Sequence, residues 1–95
     1  MLPKHPKQAE ILFYTKDYCP YCVAAKNLLN QKGVAYTEID VTHDSVKYQE
    51  MLTKASPRRT VPQIFINGSG VGGFDDIKAL DTKGELEKLL FPSGR

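Results

Sequence analysis

The sequence predicts an α/β domain built on a four-stranded mixed sheet flanked by helices, in the order β-α-β-α-β-β-α. Three observations carry that expectation. Ile11-Leu12-Phe13-Tyr14-Thr15 and Gln63-Ile64-Phe65-Ile66 are runs of strand formers too brief for globular helices. The chain between them holds two segments whose apolar residues recur at helical spacing. Asn67-Gly68-Ser69-Gly70 is the chemistry of a hairpin turn. A length of 95 residues, 41% hydrophobic and 25% charged, suits one small globular domain and is too short for two ordinary ones.

The first strand is residues 11–15. Beyond Lys16-Asp17-Tyr18-Cys19, Pro20 fits a first helical turn, Ala24, Ala25, Leu28 and Leu29 repeat at helical spacing, and Gly33 fits a C-terminal cap. Residues 35–40 alternate weakly as a second strand, completing a β-α-β unit whose strands should be parallel and whose crossover should be right-handed. A second helix begins around Ser45, shows Tyr48, Met51, Leu52 and Ala55 on one face, and stops before Pro57. Residues 63–66 form the third strand, and Val71-Gly72 begins a short antiparallel return strand. From Asp75 onward Ile77, Leu80, Leu86, Leu89 and Leu90 keep helical spacing with a break near Gly84, so one kinked helix or two short ones finish the fold. The domain is expected over residues 10–91, with 1–9 as a flexible N-terminal extension and 92–95 as a tail.

No apolar run approaches the roughly 18 to 20 residues of a membrane helix. The opening MLPKHPKQAE is polar and prolyl, unlike a signal-peptide core, so a cytoplasmic location is expected. Thirteen Lys and Arg against eleven Asp and Glu give a net charge of +2, which argues against nucleic-acid binding driven by bulk charge.

The chemistry concentrates at Cys19 and Cys22, the two cysteines of the chain, set as Cys-Pro-Tyr-Cys between a strand and the helix it feeds. Disulfide exchange runs through the thiolate, and a free thiol with a pKa of roughly 8.5 is mostly protonated at neutral pH. A helix N-terminus stabilises the anion through unpaired N–H groups and the helix dipole, and Lys16 adds a nearby cation. Cys19, at the helix start, is expected to attack. Cys22, in the first turn beneath it, is expected to reach back and resolve the mixed disulfide, with Pro20 stiffening the turn. A purely structural disulfide is the plainer alternative, although disulfides of cytosolic proteins are usually catalytic or redox-sensing. A zinc site lacks ligands, because His5 and His43 show no zinc-binding spacing with the cysteines.

Two further segments lie downstream. Arg58-Arg59-Thr60-Val61-Pro62 leads into the third strand; its proline is either an ordinary strand start or part of a turn that leaves the backbone of Val61 free for a peptide-like ligand. The paired guanidinium groups are either solvated or suited to a carboxylate. Gly72-Gly73-Phe74-Asp75-Asp76 opens a helix, where the aspartates are either caps or partners for the ammonium of an α-amino acid whose carboxylate meets the helix N–H groups.

Taken together, Tyr-Thr-Lys-Asp-Tyr-Cys-Pro-Tyr-Cys at 14–22, Thr-Val-Pro-Gln-Ile-Phe-Ile at 60–66 and Gly-Gly-Phe-Asp-Asp at 72–76 resemble the dithiol glutaredoxins, over about residues 10–90. The resemblance implies a thioredoxin fold, glutathione as co-substrate and reductant with no bound cofactor or metal, and reduction of protein disulfides and glutathione mixed disulfides. By position it implies Cys19 as nucleophile, Cys22 as resolving thiol, Lys16 and Tyr21 flanking glutathione, and Thr60, Val61 and a cis Pro62 as its floor. It further implies Asp75 and Asp76, beside Gly73, at the γ-glutamyl end and Arg58 or Arg59 at the glycyl carboxylate. Phe74 departs from relatives that carry a third cysteine there. Implied partners are oxidised or glutathionylated proteins, ribonucleotide reductase among those the family would permit; a monomer is expected. A cluster-binding module is disfavoured by Pro20, and a redoxin served by a flavoprotein reductase is disfavoured by Lys16, Asp75 and Asp76.

Overall fold

The structure, a computed structural model, describes residues 8–55 and 60–92. Its elements are β1 (Ile11–Thr15), α1 (Pro20–Gln31), β2 (Thr37–Asp40), α2 (Ser45–Ala55), β3 (Gln63–Ile66), β4 (Ser69–Gly72), α3 (Phe74–Thr82) and α4 (Leu86–Leu90). They form one mixed sheet in the order β2-β1-β3-β4, with β1 parallel to β2 and antiparallel to β3, and β3 antiparallel to β4. The register sets Leu12 opposite Thr37 and Ile11 opposite Ile66.

Period-two alternation along β1 divides the core into two layers. Ile11 and Phe13 join Ile64 and Ile66 on one face, covered by Ala25, Leu28 and Leu29 of α1, Ile77 of α3 and Leu86 and Leu90 of α4. Tyr14 and Phe65 lie on the other face with Met51 of α2. Tyr14 is wholly buried, yet its hydroxyl donates to Glu50 Oε1 (2.8 Å) and accepts from Lys54 Nζ (3.2 Å). Burial, and then the bond to Glu50, push the phenol pKa up; the same bond holds the Glu50 carboxyl below its ordinary value.

Several boundaries differ from the sequence expectation, each for a local reason. β2 starts at Thr37 and not at Ala35, because the Gln8 carboxamide takes both backbone groups of Ala35. Gln8 Nε2 donates to Ala35 O (2.7 Å), and Ala35 N–H donates to Gln8 Oε1 (2.8 Å). Ala9 N–H donates to Leu90 O (2.8 Å), and both Gln8 and Ala9 are buried, so packing against the domain begins ahead of Glu10. Gln8→Ala strips Ala35 of both partners and should cost about 1 to 3 kcal/mol. Urea unfolding checks this: a midpoint equal to that of the wild type would show the clamp to be energetically idle.

β4 starts at Ser69, two residues before Val71, because Asn67 and Gly68 alone make the turn, at φ of 51° and 82°. Asn67 is further tied to Glu10, accepting from its N–H at Oδ1 and donating to its carbonyl, both at 2.8 Å. Of the two C-terminal alternatives, the chain forms two helices separated at Lys83, Gly84 and Glu85, the first opening at Phe74 and not at Asp75. Lys32, just past α1, pairs with Asp81 and Glu87 and so links α1 to α3 and α4. His43 is exposed; His5, Arg58 and Arg59 lie outside the described residues.

Candidate active site

β1 ends at Thr15, at the C-terminal edge of the sheet, and delivers the chain through Lys16, Asp17 and Tyr18 to the start of α1. Cys19 is the N-cap, extended at φ −116° and ψ 100°, with Pro20 opening the helix. Its Sγ accepts the Cys22 N–H at 3.1 Å, so a donor that the helix leaves unpaired points at the sulfur. No acidic residue occupies this first turn to oppose a negative sulfur. Cys19 and Cys22 are joined as a disulfide with their Cα atoms 5.1 Å apart. They are not equivalent: Cys22 is buried in the core, whereas Cys19 is half-buried at the surface.

The turn before β3 approaches from the other side. The Val61–Pro62 peptide bond is cis, as the resemblance implied, and Val61 O lies 4.0 Å from Cys19 Sγ. Behind this turn stands Gly73, where a Cβ would meet Pro62 O at 3.1 Å. Glycine there lets the N-terminus of α3 close onto the turn. Asp76 Oδ2 accepts the Gly73 N–H at 2.9 Å, so this aspartate does cap its helix, while Asp75 in the same turn is exposed.

These pieces enclose a groove of about 350 Å³ bounded by Tyr21, Thr60, Val61, Pro62, Gly73, Phe74, Asp75 and Asp76. Every expected contact in the described residues except Lys16 therefore lines one depression. Lys16 lies with Cys19, Thr60 and Val61 around an adjoining hollow of about 390 Å³, which extends toward Tyr48 of α2. Phe74 is a lining residue that the sequence reading treated only as a departure from relatives. Its ring sits 6.4 Å from that of Tyr21, tilted by 35°, so the two form an aromatic wall. Its position directly after Gly-Gly at a helix start was the available signal.

A larger groove of about 570 Å³ opens on the opposite flank of Cys19, between the start of α1 and β2. Lys26 and Glu38 pair across it at 3.0 Å, and the Glu38 carboxylate holds the Lys26 ammonium protonated above its ordinary range. Hydrogen bonds from the Thr42 hydroxyl and N–H keep the Asp40 carboxyl low; the N–H bond measures 2.8 Å. Chemically, the arrangement offers one accessible sulfur, a second sulfur behind it, and a peptide-sized groove beside them that ends on paired carboxylates and a helix N-terminus.

A sequence model of the family described as Glutaredoxin matches residues 11–71. Glutaredoxin 3 of Escherichia coli strain K12 is 49% identical over 82 residues, which cover 86% of this chain and 98% of that protein. Among solved structures, the crystal structure of oxidized glutaredoxin 2 from Chlamydomonas reinhardtii is 42% identical with a TM-score of 0.73, covering 85% of this chain and 78% of that one. The buckwheat glutaredoxin-glutathione complex is 32% identical with a TM-score of 0.76, covering 86% and 76%.

Proposed function

The chain belongs to the glutaredoxin family, as a dithiol member with a thioredoxin fold, and we propose that Cys19 and Cys22 carry a glutathione-dependent thiol-disulfide exchange. In the reduced protein the Cys19 thiolate attacks one sulfur of a substrate disulfide, forming a mixed disulfide and releasing the other sulfur as a thiolate that takes a proton. The Cys22 thiolate then attacks Cys19 Sγ, closing the Cys19–Cys22 bridge and releasing the second substrate thiol. One glutathione thiolate opens that bridge at Cys19. A second attacks the sulfur of the bound glutathione, leaving glutathione disulfide and the Cys19 thiolate. Two electrons pass from two glutathiones to one substrate disulfide.

The observation that carries this reading is that the Tyr21-to-Asp76 groove shares Thr60 and Val61 with the hollow at Cys19, whose half-buried sulfur lies 4.0 Å from Val61 O at a helix N-terminus. In the groove the cysteinyl part of glutathione pairs with the backbone of Val61 above Thr60 and Pro62. The γ-glutamyl end meets the N-terminus of α3 at Gly73, where its ammonium faces Asp75 and Asp76. Tyr21 and Phe74 cover the chain from one side, and Lys16 with Arg58 or Arg59 receives the glycyl carboxylate. The substrates are oxidised or glutathionylated proteins, with ribonucleotide reductase within the range that family membership permits. The protein acts as a monomer in the cytoplasm, through a domain that ends near Phe91 and includes Gln8 and Ala9 ahead of Glu10, and no helix among the described residues is long and apolar enough to cross a membrane.

Turnover of a glutathionylated substrate should proceed with glutathione, glutathione reductase and the reduced nicotinamide cofactor, and stall when thioredoxin reductase replaces that system. Equal turnover with thioredoxin reductase in the absence of glutathione would overturn the assignment.

A further inference from the structure

Among the described residues five large hydrophobic side chains are exposed, and Tyr18, Tyr21 and Val23 stand around the redox pair. Tyr21 is explained by its wall with Phe74. Tyr18 and Val23 are not. Both line the groove of about 570 Å³, which reaches Cys19 and Cys22; it has no lining residue in common with the groove beside Tyr21, and Tyr18, with Lys16, Cys19 and Pro20, forms the ridge between it and the hollow at Thr60 and Val61.

Tyr18 is fully exposed and holds φ at 55°, in the left-handed region that bulky side chains rarely adopt. The side chain adds nothing to the core and the backbone is strained, so the residue is not explained by the stability of the fold. Neighbours impose the conformation: Asp17 N–H donates to Thr42 Oγ1 (2.8 Å), and Val41 N–H donates to Thr15 O (2.9 Å). Strain of this kind, over-determined by its surroundings and one residue from a reacting sulfur, is a mark of function.

The groove walls present both signs of charge, Lys16 and Lys26 against Asp17, Glu38 and Asp40, with Lys26 and Glu38 paired to each other. That mixture does not match a ligand of a single charge sign such as a phosphate; it matches a polypeptide with mixed side chains. A protein disulfide attacked by Cys19 brings chain on both sides of its sulfur, and with the groove beside Tyr21 assigned to glutathione, the groove of about 570 Å³ is the flank of Cys19 left for that chain. Resting on the dithiol chemistry above, we propose that the groove between α1 and β2 is the docking surface for the polypeptide segment that carries a substrate disulfide. Tyr18 is its aromatic anchor and Val23 its apolar floor. A fully exposed tyrosine at the rim of a reactive site is the residue type that dominates such contacts.

The test measures kcat/KM of the wild type, Tyr18→Ala, Tyr18→Phe and Val23→Ser with two substrates, insulin and the mixed disulfide of cysteine and glutathione, alongside thermal melting and sedimentation. The ratio of the insulin value to the small-disulfide value should fall about tenfold in Tyr18→Ala, and less in Val23→Ser. Tyr18→Phe should keep most of the ratio, and Tyr18→Ala should melt no lower than the wild type. An unchanged ratio in both Tyr18→Ala and Val23→Ser overturns the docking surface. A wild-type dimer at assay concentration that Tyr18→Ala dissociates also overturns it, because a second copy of the chain is then the occupant. Failure of the wild type to reduce either substrate with glutathione is a separate result, and it removes the thiol chemistry itself.

Discussion

Cys19→Ser should reduce turnover of every disulfide substrate to the uncatalysed rate, while Cys22→Ser should spare one class of substrate and lose the other. The asymmetry follows from burial. Cys19 presents its sulfur at the surface, accepts a helix N-terminal N–H at 3.1 Å and faces no carboxylate in the first turn. A serine hydroxyl in the same place is ionised far less readily and has no adjacent base to activate it. Cys22 is buried in the core and meets substrates only through Cys19. Without it a glutathione mixed disulfide on Cys19 is still opened by free glutathione, so deglutathionylation should persist at a rate near that of the wild type. Reduction of a protein disulfide needs the second thiol to release the trapped chain and should fall by at least about tenfold. Parallel assays on glutathionylated cysteine and on insulin separate the two cases. Equal losses in Cys22→Ser, or residual turnover in Cys19→Ser, would refute the division of labour.

Gly73→Val should raise the KM for glutathione by about 10- to 100-fold with a smaller effect on the reaction of Cys19 with alkylating agents. The backbone at Gly73 is extended, φ −104°, and tolerates any residue, so the constraint is steric. A Cβ would stand 3.1 Å from Pro62 O, a backbone atom that cannot rotate aside, and the branches of valine add bulk at the same place. Relief comes by separating α3 from the turn before β3, which widens the groove where Asp75 and Asp76 are set against Val61. Gly73→Ala should show the same change at lower magnitude. Glutathione kinetics, with denaturant unfolding to show that the variant is folded, check the prediction. An unaltered KM in folded Gly73→Val would mean that the groove is not where glutathione binds.

What the sequence disclosed was whatever its own neighbourhood determines. β1, the start of α1 at Pro20 and the turn into β3 depend on residues a few positions apart, and each lies where the pattern put it. The grouping of Tyr21 with Thr60, Val61, Pro62, Asp75 and Asp76 was legible because three short motifs recur together in one family; none of them alone decides between a ligand contact and a cap. Asp76 shows why, since it caps α3 and lines the groove at once. Long-range substitution was not legible. Gln8 replaces strand pairing at Ala35 across 27 positions, which shortens β2 and secures residues that composition alone assigns to a loose extension. Tyr18 was equally hidden, because its exposure and positive φ come from ties between its loop and the segment after β2.

The bond from Ala9 to Leu90 brings together two points that are almost the whole domain apart in sequence. Both lie at the pole where β1 begins, about 17 Å along that strand from the one where it delivers Cys19. The domain therefore enters and leaves space side by side, as an insertable cassette does. A host protein's surface loop could accept it between those points with little distortion, while the sulfurs stay at the far pole and open to solvent.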